Sequence, residues 1–203
     1  MNRALTIALV LSLSACASDG DTDEAPRISQ WLIGPVIDGK NYSRGLPDAA
    51  ERHPEGWAID FGPDQSPHYV TRDAPTLTGR TLIRMRFRTE GAPIVGVGCP
   101  TGTATVFLQA RGEKYSGSDG KRWWASFATV QLGEPKEYEI VAPLDGNWTS
   151  ANTMQAHSAP EAFAAALKDA QHVGFTFGNC EGLGHGITAT GPAKIVVTHY
   201  GVE

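Results

Sequence analysis

The sequence lacks several patterns that would point to a particular chemistry. Positive charge is not in excess, because 17 Lys and Arg residues stand against 22 Asp and Glu residues, and we therefore expect no nucleic-acid partner. The six His residues show neither the HExxH nor the HxH spacing of metal sites. Neither the Gly-x-Ser-x-Gly motif of hydrolases nor the Lys-Ser/Thr pair of a phosphate-binding loop occurs. We predict no metal site and no cofactor.

Long hydrophobic runs are also scarce. The most apolar stretch covers residues 4–13, which is too short to cross a bilayer as a permanent helix. It follows the positively charged Arg3 and precedes a run of small residues, as in a secretory signal peptide. We therefore predict that residues 1–15 are a signal peptide and that no later segment spans a membrane.

The predicted signal peptide ends in Leu13-Ser14-Ala15-Cys16, which resembles the lipobox of bacterial lipoproteins. The resemblance implies that Cys16 is acylated and becomes the first residue of the mature chain. Since no Asp follows the Cys, it also implies an outer-membrane lipoprotein of the cell envelope that faces the periplasm or the surface. The alternative is an ordinary signal peptide with a fortuitous Cys at this position.

The segment after Cys16 is a predicted tether. Residues 17–26 read ASDGDTDEAP, which is acidic and poor in apolar side chains, so they cannot contribute a core. We predict a lipidated Cys and flexible tether over residues 16–27 and one folded domain over residues 28–203. The membrane is then a partner of the chain through the lipid anchor.

Cysteine is rare, with three residues in the chain. If Cys16 carries lipid, Cys99 and Cys180 remain as an even pair in an oxidising compartment, which favours a disulfide between them. A free thiol or a metal pair is the alternative, although neither Cys has a second Cys or a His at the short spacing of zinc sites.

Alternation of apolar and polar residues dominates the rest of the chain. In RTLIRMRFRTE, residues 80–90, Ile83, Met85 and Phe87 alternate with Arg84, Arg86 and Arg88. The same period recurs in EYEIVA, and further short strands are separated by 23 Gly and 13 Pro residues. Many short strands bounded by turns predict an all-β fold, an antiparallel β-sandwich.

One helix interrupts the strands. In SAPEAFAAALKDA, Ser158 has the character of an N-cap, Pro160 suits the first turn and Glu161 completes a capping box. We predict one short helix here that covers an end of the sandwich.

Several segments together resemble known jelly-roll modules. WLIGPVIDGKNYSRGLP, PLDGNWTS, VGFTFGNCEGLGHGI and GPAKIVVTHYGVE have the order and spacing of strands in β-sandwich modules of the galactose-binding and carbohydrate-binding kind, and of a group of Gram-negative lipoproteins. The resemblance implies a jelly roll and a non-catalytic role in binding a glycan or another envelope component. A structural envelope protein without a small ligand is a further alternative.

Adjacent indoles in KRWWAS are the first candidates for glycan binding. Successive side chains of a strand point to opposite faces, so Trp123 and Trp124 cannot both enter one core. Sugar rings stack on exposed aromatic faces, and indole offers the largest such face. We expect one of the two to enter the core and the other to meet solvent, the helix or a loop.

The arginine row of residues 84, 86 and 88 is the second candidate. Guanidinium groups bind carboxylates and sulfates in bidentate fashion, so Arg84, Arg86 and Arg88 would suit an acidic polysaccharide. The alternative is that a neighbouring strand neutralises them, because Glu137 and Glu139 have the same period and the opposite charge.

One enzyme hypothesis remains. RTE at residues 88–90, QAH at residues 155–157 and Tyr200 resemble, in that order, motifs of jelly-roll polysaccharide lyases of the alginate lyase type. The resemblance implies that Arg88 and Gln155 neutralise a uronate carboxylate while His157 or Tyr200 moves the proton. The long Tyr/Lys/Gly motif of those enzymes is missing, and QAH abuts a predicted helix instead of lying in a strand.

Overall fold

The computed structural model describes residues 31–115, 120–145 and 147–203. The predicted signal peptide, the lipidation site Cys16 and the tether lie outside these residues, and so does the predicted start of the domain at residue 28. Within the described residues, no helix has the length and apolar character needed to cross a membrane.

Two antiparallel sheets build the domain. The larger sheet has eight strands. Its main path runs through β1 (Leu32–Gly34), β6 (Tyr69–Asp73), β14 (Ala170–Asn179), β9 (Gly102–Ala110), β10 (Arg122–Trp124) and β13 (Thr149–Ser150), while β11 (Val130–Leu132) pairs with β9 and β15 (Gly182–Leu183) with β14. The smaller sheet runs through β12 (Glu137–Pro143), β7 (Leu82–Gly91), β17 (Ala193–Val202), β5 (Gly56–Phe61) and β4 (Glu51–His53).

Short elements complete the fold. Two small antiparallel pairs lie outside the main sheets: the hairpin of β2 (Val36–Ile37) with β3 (Lys40–Asn41), and β8 (Ile94–Gly96) with the distant β16 (Ile187–Ala189). A 3₁₀ turn covers Ser126–Ala128, and α1 covers Pro160–Lys168. Together these elements confirm the predicted all-β, antiparallel jelly-roll sandwich with one short helix.

The core fills the space between the two sheets. Strand β7 turns Ile83, Met85 and Phe87 inward and its arginines outward, as its alternation predicts. From the larger sheet, Val106 and Phe175 enter the same core. Burial of this apolar surface supplies the main free-energy gain of folding, about 25 cal/mol per Å².

The two adjacent indoles diverge as their strand geometry requires. Trp123 is fully buried on the inner face of the larger sheet, with its ring 5.1 Å from that of Phe163 on α1. Phe163 also lies 5.8 Å from Trp148, so the helix covers one end of the core. Trp124 points to the outer face of the sheet.

Helix α1 starts one residue later than its sequence indicates. Its N-cap is Ala159, which makes no side-chain cap hydrogen bond, so the predicted capping role of Ser158 is wrong. The Ser158 amide instead donates to the carbonyl of Gln155 in a turn. Pro160 provides the preorganised first turn of the helix.

Strand β9 is buried on both of its faces. Ala104, Val106 and Leu108 face the core, while Thr105, Phe107 and Gln109 face outward and are nevertheless buried. The chain that follows β9 returns over this outer face, and its Glu113 is buried there. The larger sheet therefore carries a second, smaller layer on its outer face.

Candidate functional site

The arginine row lies on the outer face of the smaller sheet and is paired with carboxylates. Arg84 Nη1 lies 2.9 Å from Glu139 Oε1 and its Nε lies 3.1 Å from Glu203 Oε1, while Arg86 Nε lies 3.0 Å from the same Glu139 oxygen. Hydrogen bonds from Arg84 and Arg86 hold the pKa of Glu139 below its usual value. Glu139 on the adjacent strand thus neutralises two of the three candidates.

Arg88 has different partners from those expected. Its Nε lies 2.7 Å from Glu90 Oε1, and its Nη1 bonds to Glu55 from the turn between β4 and β5. Glu137 lies directly opposite Arg88 in the register of β12 and β7. A groove of about 350 Å³ is lined by Arg86, Arg88, Glu137 and Glu139 of the smaller sheet.

The tryptophan pair provides no open double platform. Trp123 is fully buried, so the glycan-stacking role considered for this residue is incompatible with the structure. Trp124 is partly buried, and the Arg122 guanidinium lies 5.3 Å from its ring. The physical reason is that Trp123 is needed to fill the core beside α1.

The four residues of the lyase hypothesis are spread over the molecule. Arg88 points out from the smaller sheet, whereas Tyr200 points inward from the same sheet and donates to the Gly174 carbonyl at 3.2 Å. Burial raises the pKa of Tyr200, and the opposing effect of Arg72 is smaller. A tyrosine with a raised pKa is a poor catalytic base.

The second half of that set lies at the edge of the larger sheet. Gln155 accepts a hydrogen bond from Thr149 at 3.1 Å, and exposed His157 follows in the turn before α1. Because Arg88 and Tyr200 occupy opposite faces of the smaller sheet, the four side chains do not form one catalytic groove.

A different groove crosses the outer face of the larger sheet, with a volume of about 510 Å³. Its floor is formed by Thr71 of β6, His172 of β14 and Gln109 of β9. His172 and Gln109 are register partners, and such partners share one face of an antiparallel sheet. Three neighbouring strands therefore present polar side chains to this groove.

One wall of the groove is the segment of residues 32–38. Leu32 and Val36 expose 55% and 58% of their surface, so this wall offers aliphatic side chains to a ligand. The segment is held in place because Asn41 Nδ2 donates to the Ile33 carbonyl at 2.9 Å and Ser43 Oγ donates to the Gly34 carbonyl at 2.5 Å.

Residues 113–115 form the opposite wall. Behind them, Arg122 Nη1 lies 3.3 Å from Glu113 Oε1, and both side chains are buried. Gln109 Nε2 donates to Glu113 Oε2 at 2.5 Å. These three residues, together with the rings of Tyr69, Tyr115 and Trp124, are called the Arg122 cluster below.

Aromatic rings surround the guanidinium of this cluster. Arg122 lies 4.9 Å from the ring of Tyr115, 5.3 Å from Trp124 and 5.6 Å from Tyr69. Such cation–π contacts are worth about 2 kcal/mol or more when they are desolvated. They compensate in part for burying a charge.

Tyr115 joins the cluster to the groove. Its φ of 59° is in the left-handed region, which a non-glycine residue adopts only when surrounding contacts hold it. Its ring meets that of Tyr69 edge-on at 5.3 Å. Burial raises the pKa of the Tyr115 hydroxyl, so this group remains a neutral donor and acceptor at physiological pH.

Sequence reasoning missed this groove. A partial signal was present in TATVFLQAR, where Phe107 interrupts the polar outer face of β9, because a large apolar side chain on that face favours a cover over it. Which segment supplies the cover cannot be read from that pattern. Among the described residues, no group of three or more His, Cys, Asp or Glu is placed to bind a metal ion.

Comparison with solved structures finds a remote likeness. No family model and no curated protein matches the chain. Among solved structures, the chain is similar to one described as "xylan-binding module CBM15", with a TM-score of 0.41 and 12% identity, over 84% of this chain and 92% of that one. This likeness is too remote to carry an argument about function.

Proposed function

We propose that the protein is a non-catalytic glycan-binding module of the bacterial cell envelope, and that it binds its ligand in the groove over the larger sheet. The observation that carries the proposal is the composition of this groove. A floor of polar side chains lies between a tyrosine on one wall and exposed aliphatic side chains on the other.

This composition matches the two kinds of surface on a sugar. The C–H faces of a pyranose ring pack on aromatic and aliphatic groups, which Tyr115, Leu32 and Val36 offer. Its hydroxyl groups both donate and accept hydrogen bonds, as do the side chains of Thr71 and Gln171, which line the groove. A linear chain of sugars fits an open groove better than a closed pocket.

The construction of the floor supports binding without large rearrangement. Thr71, Gln109 and His172 project from three strands that pair with one another over many residues. Sites on sheet strands hold their geometry better than sites on loops, and a preformed site avoids the cost of ordering on binding.

Placement in the envelope rests on two observations of different kind. The sequence around Cys16 supports lipidation and attachment to the outer membrane through the acidic tether. The disulfide between Cys99 and Cys180 supports an oxidising compartment, since such bonds are rare in the cytosol.

A glycan array probed with the full chain tests the function, followed by titration with the best glycan. We expect Tyr115→Ala to weaken binding by about tenfold, since loss of a stacked ring costs about 1.4 kcal/mol. Tyr42→Ala is the matched control, because Tyr42 is 45% exposed and does not line the groove.

Two results would overturn the proposal. One is the absence of binding to every glycan tested. The other is binding that survives Tyr115→Ala but is lost in Arg86→Ala, which would move the ligand to the opposite side of the sandwich.

A further inference from the structure

We infer that the groove takes a neutral polysaccharide and discriminates against glycans that carry carboxylate or sulfate groups. This inference rests on the proposed function and names the class of ligand for the same groove.

The arginines that would suit an acidic glycan are already paired with carboxylates of the protein. Arg84, Arg86 and Arg88 are each engaged by at least one carboxylate within 3.1 Å. Four acidic side chains contribute to this network: Glu55, Glu90, Glu139 and Glu203. An anionic ligand on this face would have to displace an acidic residue, so the face offers no net attraction for it.

The arginine behind the groove, Arg122, is buried and already has a carboxylate partner. Arg122 is 6% exposed, and its charge is compensated by Glu113, which is itself buried. Its guanidinium is covered by the rings of Tyr115 and Trp124. Arg122 therefore supports the wall of the groove and does not present a fork of N–H groups to a ligand carboxylate.

The charged side chains along the groove provide no excess of positive charge. Asp38 on one wall and Lys114 on the other contribute one charge of each sign. Glu113 also lines the groove, but its side chain is buried and paired with Arg122, so it adds no net charge. His172 on the floor has Asp73 as a neighbour, with Nδ1 and Oδ1 3.5 Å apart. A carboxylate or sulfate entering the groove would therefore lose water without an excess of positive charge to replace it, which opposes binding.

Polar side chains that line the groove suit the hydroxyl groups of a neutral sugar. Thr71 and Gln171 line the groove, and neither side chain is fully buried. The hydroxyl of Thr71 and the amide of Gln171 can each donate and accept, so both pair with a sugar hydroxyl, whereas a carboxylate or sulfate oxygen can only accept.

Paired glycans provide the test, in which the full chain is titrated with neutral polysaccharides and with polyuronates of matched length. We expect the tightest neutral glycan to bind at least tenfold more tightly than any polyuronate. Its affinity should change less than twofold between about 10 mM and about 1 M salt, over which the screening length falls from about 30 Å to about 3 Å.

The outcomes separate the inference from the function on which it rests. Preference for polyuronates or sulfated glycans, or equal affinity for both classes, overturns the inference. The proposed function still stands in that case if binding depends on Tyr115. A steep loss of affinity with salt would also overturn it. Binding to neither class overturns the function itself. Arg86→Gln serves as the control variant and should leave neutral-glycan binding unchanged.

Discussion

Arg122 shows how a buried charge can shape a surface without contacting what binds there. Its ion pair with Glu113 is buried, and the pair is surrounded by three aromatic rings and Gln109. Buried ion pairs contribute little net stability, but removal of one partner leaves an uncompensated charge. The value of this pair thus lies in fixing the position of Tyr115.

A stability measurement tests this role at the level of the residue. We expect Arg122→Met to lower the free energy of unfolding by about 3–5 kcal/mol, because Glu113 then remains buried without its cation. Urea unfolding monitored by tryptophan fluorescence measures this change.

The double variant Arg122→Met with Glu113→Gln provides the control. It removes both charges and should recover most of the lost stability. A loss below about 1 kcal/mol in the single variant would show that the pair is not desolvated as described. No recovery in the double variant would assign the loss to packing.

Among the elements, β7 and β12 form a pair whose inner and outer faces have separate tasks. The inner faces supply buried side chains to the core, and the outer faces carry the ion pairs of Arg84 and Arg86 with Glu139. Since these groups are exposed to solvent, their contribution to stability is modest and sensitive to salt.

The pH dependence of stability tests the role of Glu139. Because its pKa is lowered in the folded state, its contribution is present above the ordinary carboxyl pKa and is lost as the pH falls through the lowered value. We expect Glu139→Gln to be less stable than the wild type at pH 7 and equal to it at an acidic pH that lies below both pKa values.

Glu137→Gln is the matched control for this experiment. Glu137 lies on the same strand and the same face, opposite Arg88, whose ion pairs are with Glu55 and Glu90. Thermal unfolding at both pH values should show a larger pH-dependent deficit for Glu139→Gln. Equal deficits in the two variants would mean that Glu139 has no special part in the network.

At the scale of the whole molecule, a disulfide joins two distant parts of the chain. Cys99 and Cys180 are separated by 81 residues and are bonded, which confirms the pairing predicted from the cysteine count. The bond ties the turn after β8 to the turn between β14 and β15. In the chain-entropy model, closing a loop of this length stabilises the folded state by about 4 kcal/mol.

Attachment to the envelope is tested on the whole chain in cells. We expect radioactive palmitate to label the wild-type protein and not the Cys16→Ala variant, because the lipobox interpretation makes Cys16 the acylated residue. Immunoblotting of both variants controls for expression. Equal labelling of the two would refute the lipobox interpretation and leave an ordinary signal peptide.

Local patterns in the sequence were enough to determine the fold class and the disulfide. Alternation assigns inner and outer faces to β7 and β12 because successive side chains of a strand must point to opposite sides. The same rule separates Trp123 from Trp124. Cys99 and Cys180 allow only one pairing once Cys16 is set aside, so the cysteine count was enough to predict the connectivity.

The tertiary structure alone decided which outward face is open. Trp123 fills the core because Phe163, 40 residues further along, packs beside it, and Gln109 is buried because Glu113 and Arg122 close over it. The groove takes its walls from residues 32–38 and 113–115, which lie far apart in the chain. Exposure depends on such long-range contacts, and a pattern with a period of two residues carries no record of them.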